Sequence, residues 1–598
     1  MGRLGFAAVA CVAGAATGLV AGAAQAAAAF ARAEVRGVDD KALRALIQQA
    51  IGDAPNRAGS RIEARRRAED AGDKATAVLR SEGYYDYSVV PDIGDGDAPG
   101  AFVAITPGPI SRIAAPTIVW VGDPPDAQTR AAAEAAMALR PGAPGRAETV
   151  IAAEGRIVAA AEKRGYADAA TQPRQVIVDH ADQSLRPTFR IAAGGLVKLG
   201  AVEIEGRGRS RIGWIARLAP WKRGQIYRPE ALAELERRLR DTGVYNSVSV
   251  ALAPASQAAG GERPVIVSLT DRPKGSIELG ASYSTTEGAG VDSSWSLYNR
   301  LGRADTLTNM LRIAAIDSRL QSQLSLPNWG RPDQTLKLTA ALYRDRTPAY
   351  DDVGAGLSVD LTHKFGKTSF LTYGASIDDT DTKEIESLNY VLGRRDRRLL
   401  TLALLGAFSL DRSNDPLNPI RGWKLDARVE PKVATGDGSI IYLKASSQAS
   451  AYLPLDPAGA TVIAGRLRLG AIGGGDIPGV PAQDRFFAGG GGSVRGYGYQ
   501  LVGPRYPDNT PQGGLSLFET SLEIRRKLTT TWGVAAFIDA GSVGEHVYPD
   551  FREPQVGVGV GLRYNLGFGP IRVDIATPLN PRHGDSVVQL YLSIGQSF

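Results

Sequence analysis

Val588-Gln589-Leu590-Tyr591-Leu592-Ser593-Ile594, in a stretch that runs on to Phe598, alternates apolar and polar. Val588, Leu590, Leu592, Ile594 and Phe598 fall on one face, and Gln589, Tyr591, Ser593 and Ser597 on the other. Successive side chains of a strand point to opposite faces, so this is a strand with one apolar and one polar surface. A half-buried strand of a soluble sandwich has the same pattern. Extent separates the two readings. Similar segments, punctuated by Gly, Asp, Asn and Pro, recur from about Ser276 for over 300 residues. Sixteen can be counted, among them 276–287, 334–346, 368–379, 397–411, 461–473, 570–578 and 587–598. An even number of such strands predicts a transmembrane β-barrel whose two ends lie on the same, periplasmic side.

Four strands near the C-terminus each have one unusually charged face. Glu519, Glu523 and Arg525 oppose Phe518, Leu522 and Ile524, while Phe537, Asp539 and Gly541 oppose Val534, Ala536 and Ile538. Gly557, Gly559, Gly561 and Arg563 oppose Val558, Val560 and Leu562, and Arg572 and Asp574 oppose Ile571, Val573 and Ile575. A midplane arginine facing lipid costs roughly 2–4 kcal/mol, so these charges are expected to face the lumen. The glycine faces leave space there for something to enter. Strand parity makes segment 474–514, between the eleventh and twelfth strands, the sixth extracellular loop. It contains Gly489-Gly490-Gly491-Gly492-Ser493-Val494-Arg495-Gly496-Tyr497. Four consecutive glycines lose too much backbone entropy to sit inside a helix or strand. This loop is either mobile or held by something else.

Upstream, one unit is written three times. Strands ending at Gly37, Gly122 and Gly206 are spaced 85 and 84 residues apart. Each unit has a helix closing on glycine before a tyrosine, at Gly83-Tyr84, Gly165-Tyr166 and Gly243-Val244-Tyr245, a C-cap signature. A second strand pair ends each unit, as at Phe102–Ile105, Phe189–Ile191 and Val265–Leu269. Strand, helix, helix, strand, strand predicts a small α+β module with two helices on one face of a three-stranded sheet. Leu232, Leu235 and Leu239 mark the core side of one helix.

Residues 1–26 read as a secretory signal, with basic Arg3, a weakly apolar Ala/Gly-rich run and a cleavage site at Ala24-Gln25-Ala26. Cys11, the only cysteine, lies inside it, which excludes disulfides, thiol catalysis and cysteine metal sites from the mature chain. Beyond residue 26 no run of 18 apolar residues appears, so no transmembrane helix is expected. A net charge of +6 on 598 residues gives no nucleic-acid signal. His180, His363, His546 and His583 are scattered, the glycine run lacks a Gly-Lys-Ser/Thr ending, and no nucleophile–base pattern appears. Neither metal, cofactor nor catalysis is expected.

Ser493-Val494-Arg495-Gly496-Tyr497, Phe537-Ile538-Asp539-Ala540-Gly541, Asp415-Pro416-Leu417-Asn418-Pro419-Ile420-Arg421-Gly422 and Gly569-Pro570-Ile571-Arg572-Val573-Asp574 carry a family resemblance. Together with the three modules, they make the chain resemble the POTRA-barrel superfamily of BamA, TamA and the two-partner secretion transporters. Three modules and no plug helix resemble the TamA-like branch most. The resemblance implies a signal at 1–26, POTRA modules at 33–108, 109–195 and 196–273, and a 16-stranded barrel at 274–598. It implies that loop 474–514 folds back into the lumen, where Val494, Arg495, Gly496 and Tyr497 form a latch and Arg495 pairs with Asp539. Glu519 and Glu523 are alternative or additional partners, and a solvated surface arginine is the bland alternative. Phe537, Gly541, Arg563, Arg572 and Asp574 are expected to support the latch, and Leu590, Leu592, Ile594 and Phe598 form a C-terminal strand signal. The implied function is assembly or secretion of outer-membrane protein clients such as autotransporters, with client strands captured on POTRA edges and passed to a seam between the first and last strands. The implied partners are unfolded clients, a TamB-like inner-membrane protein and outer-membrane lipid. The alternative is a two-partner-secretion pore that exports one exoprotein through the lumen.

Overall fold

Short polar residues set where the helices of the N-terminal half begin. Asp40 accepts from the amides of Ala42 (2.8 Å) and Leu43 and so starts α1 (Lys41–Ile51), while Ser60 accepts from Glu63 to start α2 (Arg61–Glu82). α2 stops at Gly83, whose φ of 95° lies where L side chains are disfavoured, and the Tyr84 amide returns to the Leu79 carbonyl. The buried stripe of α2 is Ala64, Ala68, Ala71, Gly72, Ala75 and Leu79. These small residues let the helix lie close on its sheet, and a methyl on Gly72 would sit 2.7 Å from Pro91.

The structure is a computed structural model that describes residues 30–598 apart from 96–98, 207, 285–287, 367, 389–390, 552, 566–569 and 595–598. The expected signal at 1–26, with Cys11, and Phe598 lie outside the described residues. In the first module, strand Ala101–Thr106 is central, parallel to Glu34–Arg36 and antiparallel to Ser88–Ile93. The second repeats this with Thr117–Trp120, α3 (Ala127–Met137), α4 (Ala147–Glu162) and the hairpin Ala170–Asp179/Ser184–Ala192. Ile157, Leu185, Phe189 and Ile191 fill its core. The third comprises Lys198–Glu205, α5 (Ile212–Leu218), α6 (Pro229–Arg240), Tyr245–Leu252 and Glu262–Asp271, and Leu232, Leu235 and Leu239 of α6 are buried. Two-residue strands at Phe30–Ala31, Asp53–Ala54 and Arg112–Ile113 were not expected, since two residues carry no readable period.

The barrel strands are β1 (Gly275–Ser284), β2 (Gly288–Tyr298), β3 (Thr306–Ala314), β4 (Asp317–Pro327), β5 (Gln334–Arg346), β6 (Tyr350–Phe365), β7 (Ser369–Leu388), β8 (Val391–Asp411), β9 (Gly422–Gly436), β10 (Gly438–Pro454), β11 (Thr461–Gly473), β12 (Ser516–Lys527), β13 (Trp532–Gly544), β14 (Gln555–Asn565), β15 (Pro570–Pro578) and β16 (Gln589–Ile594). Each is hydrogen-bonded to the next in sequence, giving a 16-stranded antiparallel sheet. Among the described residues no ladder joins β1 to β16. Outward positions such as Leu279, Val291, Leu357, Leu404, Leu522 and Val560 are exposed apolar side chains, while Glu523, Asp539 and Asp574 on the opposite parity are fully buried. That is the distribution a lipid-facing surface around a polar interior requires.

β7 and β8 run well past the expected 379 and 397, with pairing continued to Leu388 opposite Val391. The extension alternates in polar residues: Thr380, Thr382 and Glu384 are buried, and Asp379 and Asp381 exposed. A reading of hydrophobic periodicity cannot see it.

The third module and the barrel form one compact unit. Arg209 binds Asp271 through its amide (2.8 Å) and the Tyr298 and Arg272 carbonyls through its guanidinium. Asn299 donates to Ser210 (2.8 Å), the Arg211 amide donates to the Gly302 carbonyl (2.9 Å), and Arg237 meets Asp333 (2.9 Å). The module is thereby fastened to the turns after β2 and β4.

Candidate functional site in the barrel lumen

Loop 474–515 has little secondary structure, yet much of it is buried. Val480, Phe486, Ala488, Val494, Tyr497 and Val502 pack with Tyr442 of β10, Ile472 of β11, Leu517 of β12 and Val543 of β13. The loop doubles back on itself through bridges at Phe486–Gly514 and Ala488–Val502. Its base is fixed by charge. Asp484 meets Lys432 (2.5 Å) and the Tyr442 hydroxyl (2.6 Å), and Glu384 from the β7 extension takes Arg397 (3.1 Å) and Arg485 (2.9 Å).

At the turn of the loop the Gly490 amide donates to the Tyr497 carbonyl (3.1 Å). Arg466 of β11 donates to the carbonyls of Gly492 (2.8 Å) and Ser493 (2.9 Å). The side chain of Arg495 between them is 2% exposed. Its Nε and Nη2 bind the two oxygens of Asp539 (2.7 and 3.0 Å), and its Nη1 reaches Glu523 (2.8 Å) and Asp574 (3.2 Å). The Phe537 ring lies 3.3 Å from the guanidinium carbon. A planar fork against a carboxylate, with an aromatic face beneath it, uses features of arginine that lysine lacks. Three carboxylates on one cation would repel one another. Arg525 and Arg563 at Glu523, and Arg563 and Arg572 at Asp574, offset that repulsion. Desolvation of so many charges is tolerable only because almost every one is paired.

The glycine faces make room for this cage. An added Cβ on Gly557 would lie 1.8 Å from the Arg495 carbonyl oxygen, and one on Gly541 2.6 Å from Val494 Cγ2. Gly559 and Gly561 leave space for Phe537 and Asp574 in the same way. Gly496 has φ 103°, and its backbone rests against Thr577. Tyr497 donates to Asn580 Oδ1 (2.7 Å).

Of the residues singled out from sequence, Arg495, Asp539, Glu523, Asp574, Arg563 and Phe537 meet at one point, with Arg572 beside it, while Gly541 faces Val494 and Glu519. Glu519 stands apart: it takes Ser493 Oγ and lies 3.6 Å from Arg466 and 3.7 Å from Arg468. Leu590 and Leu592 face outward on β16, and the side chains of Ile594 and Phe598 lie outside the described residues. Sequence reasoning missed Tyr591. Its hydroxyl accepts from the Gly496 amide (3.0 Å) and donates to the Tyr497 carbonyl (2.9 Å), which ties the loop to β16. The available signal was an aromatic on the polar face of the last strand, between Gln589 and Ser593. Tyr591→Phe strands the buried Gly496 amide and leaves the Tyr497 carbonyl with only the Gly490 amide, and is expected to cost about 1–3 kcal/mol. A lowered temperature for loss of the folded band on an unheated gel checks it.

Residues 299–598 match the family model of the Omp85 superfamily domain. The outer membrane protein assembly factor BamA of Neorickettsia risticii is 23% identical over 431 residues, covering 69% of this chain and 56% of that protein. The BamA of Nitratidesulfovibrio vulgaris is 23% identical over 424 residues, covering 69% and 52%. The chain thus spans little more than half the length of these curated relatives. The crystal structure of BamA from Haemophilus ducreyi lacking POTRA domains 1–3 superposes with a TM-score of 0.69 at 18% identity, over 81% of this chain and 99% of that one. That likeness is one of fold.

Proposed function

This chain belongs to the Omp85 superfamily, and from that premise we propose that it is a TamA-like factor that inserts or secretes β-barrel clients. It is an outer-membrane protein, with its modules in the periplasm. The observation that carries the proposal is the seam. Fifteen neighbouring strand pairs are hydrogen-bonded in order, and among the described residues β1 and β16 are not. Unpaired backbone groups at an edge in hydrocarbon need partners, and an incoming client strand supplies them. Capture upstream has a counterpart in the modules. The edge strand Tyr245–Leu252 of the third module has no proline, whereas Ser88–Ile93 contains Pro91 and Ala170–Asp179 contains Pro173. Proline removes a donor from an edge, so of these three edges that of the third module is the better site for β-augmentation. Client folding supplies the driving force. A TamB-like protein and outer-membrane lipid complete the proposed set of partners.

The test is a lock on the seam. Cysteines scanned through Ile277–Ala281 and Gln589–Ser593, with Cys11 as the only native cysteine, give disulfides where the strands lie close. Quantitative comparison of outer-membrane proteins is expected to show client loss on oxidation and recovery on reduction. Normal client levels with a fully crosslinked seam exclude the seam mechanism. Conductance that rises as the loop is displaced would instead favour an exoprotein pore through the lumen.

A further inference from the structure

Beside the Arg495 cage lies a cavity of about 400 Å3 that the assembly reading leaves unused. Two arginines, Arg468 and Arg572, line it together with the glycines 489–492, and no Asp or Glu does. Arg572 is 5% exposed. Its Nε donates to Ser593 (2.8 Å) and its Nη2 to the Gly491 carbonyl (3.3 Å), but its Nη1 has no hydrogen-bond partner. The nearest carboxylate, Asp574, lies 3.4 Å from its Nε and is shared with Arg495 and Arg563. Gln500, also lining the cavity, is 6% exposed and its Oε1 has no partner. It holds φ 62°, a conformation side-chain-bearing residues seldom adopt. Its amide, turned over, presents two N–H donors instead.

A buried guanidinium donor without an acceptor calls for one, and a pocket with two cations and no lining acid selects an anion. We propose that this cavity binds a phosphate-type oxyanion, held by Arg468, Arg572 and the turned amide of Gln500. Phe487 and Leu592 give it an apolar wall, and its volume leaves space for more than the anion. The source is therefore a lipid headgroup or free phosphate.

Calorimetric titration of the full chain in non-ionic detergent distinguishes them. The probes are inorganic phosphate, short-chain phosphatidic acid and, as the zwitterionic control, short-chain phosphatidylcholine. Phosphate and phosphatidic acid are expected to bind and phosphatidylcholine not to. Arg468→Gln, at the partly exposed rim, is expected to weaken binding about tenfold, the scale of one lost charged hydrogen bond, and Arg468→Lys to recover most of it. Arg572→Gln also removes a loop contact, so Arg468→Gln carries the test. Phosphatidic acid binding at least tenfold tighter than phosphate assigns the site to lipid, and equal affinity assigns it to the free anion. Absent anion binding, or anion binding that Arg468→Gln leaves unchanged, overturns the proposal. Neither result bears on the seam.

Discussion

Arg495→Ala is expected to release the loop from the lumen and to lower the stability of the barrel by about 3–5 kcal/mol, the range for removing one partner of a buried ion pair. Four interactions are lost at once: the bidentate contact with Asp539, the contacts with Glu523 and Asp574, and the stacking on Phe537. Asp539 suffers most, because Glu523 and Asp574 keep Arg525, Arg563 and Arg572. Arg495→Lys keeps the charge without the fork and should fall between the two. A cysteine at Gly492, where a side chain meets nothing within 4 Å, reports loop position through its reactivity toward an impermeant maleimide. Labelling should rise in Arg495→Ala while the barrel still inserts, and client levels should fall. Unchanged labelling would show that the hydrophobic anchors hold the loop without its arginine.

The second large effect comes from adding a methyl group. Gly557→Ala places a carbon 1.8 Å from the Arg495 carbonyl oxygen and 2.9 Å from its carbonyl carbon, both backbone atoms that no rotamer change can move aside. The backbone of Gly557 is not in the positive-φ region, so the effect isolates space from conformation. Overpacking of this kind costs about 1–3 kcal/mol where the surroundings yield, and the loop is what can yield. Gly541→Ala meets a Val494 methyl at 2.6 Å and the Phe518 carbonyl oxygen only at 3.1 Å and should cost less, and Gly492→Ala should be near neutral. The order Gly557, Gly541, Gly492 in loss of heat-resistant folded band is the result to check. Combined with Arg495→Ala, Gly557→Ala should add little, because both act by displacing the same segment of the loop. Full additivity would mean that the glycine serves the strand and not the loop.

Much of the architecture is legible because it is periodic. The strands expected at 334–346, 461–473 and 570–578 begin and end at those residues. The parity argument also put Glu523, Asp539 and Asp574 on one surface without any knowledge of distance. What it could not give is pairing. Arg495 lies 28, 44 and 79 residues from its three carboxylates, and alternation says which face a residue occupies, not which neighbour it touches. Glu519 and Glu523 are equivalent by pattern, and only the path of the loop sends one to Arg495 and the other to Ser493. The β7–β8 extension stayed hidden because its period is carried by threonine and glutamate. Glu384 was missed with it, and so was its pairing with Arg397 and Arg485, since this carboxylate lies in the part of the hairpin read as loop.

Tyr591 belongs to β16, yet both bonds of its hydroxyl go to the loop. Whatever free energy the loop gains by sitting in the lumen is therefore partly conditional on where the last strand sits, and linkage makes the condition mutual. Drawing β16 away from its place weakens the loop's hold, and expelling the loop frees β16 by the same amount. Seam and loop then behave as two coupled equilibria sharing one hydroxyl. In Tyr591→Phe the two should become more nearly independent, so that oxidative locking of the seam no longer protects a Gly492 cysteine from labelling.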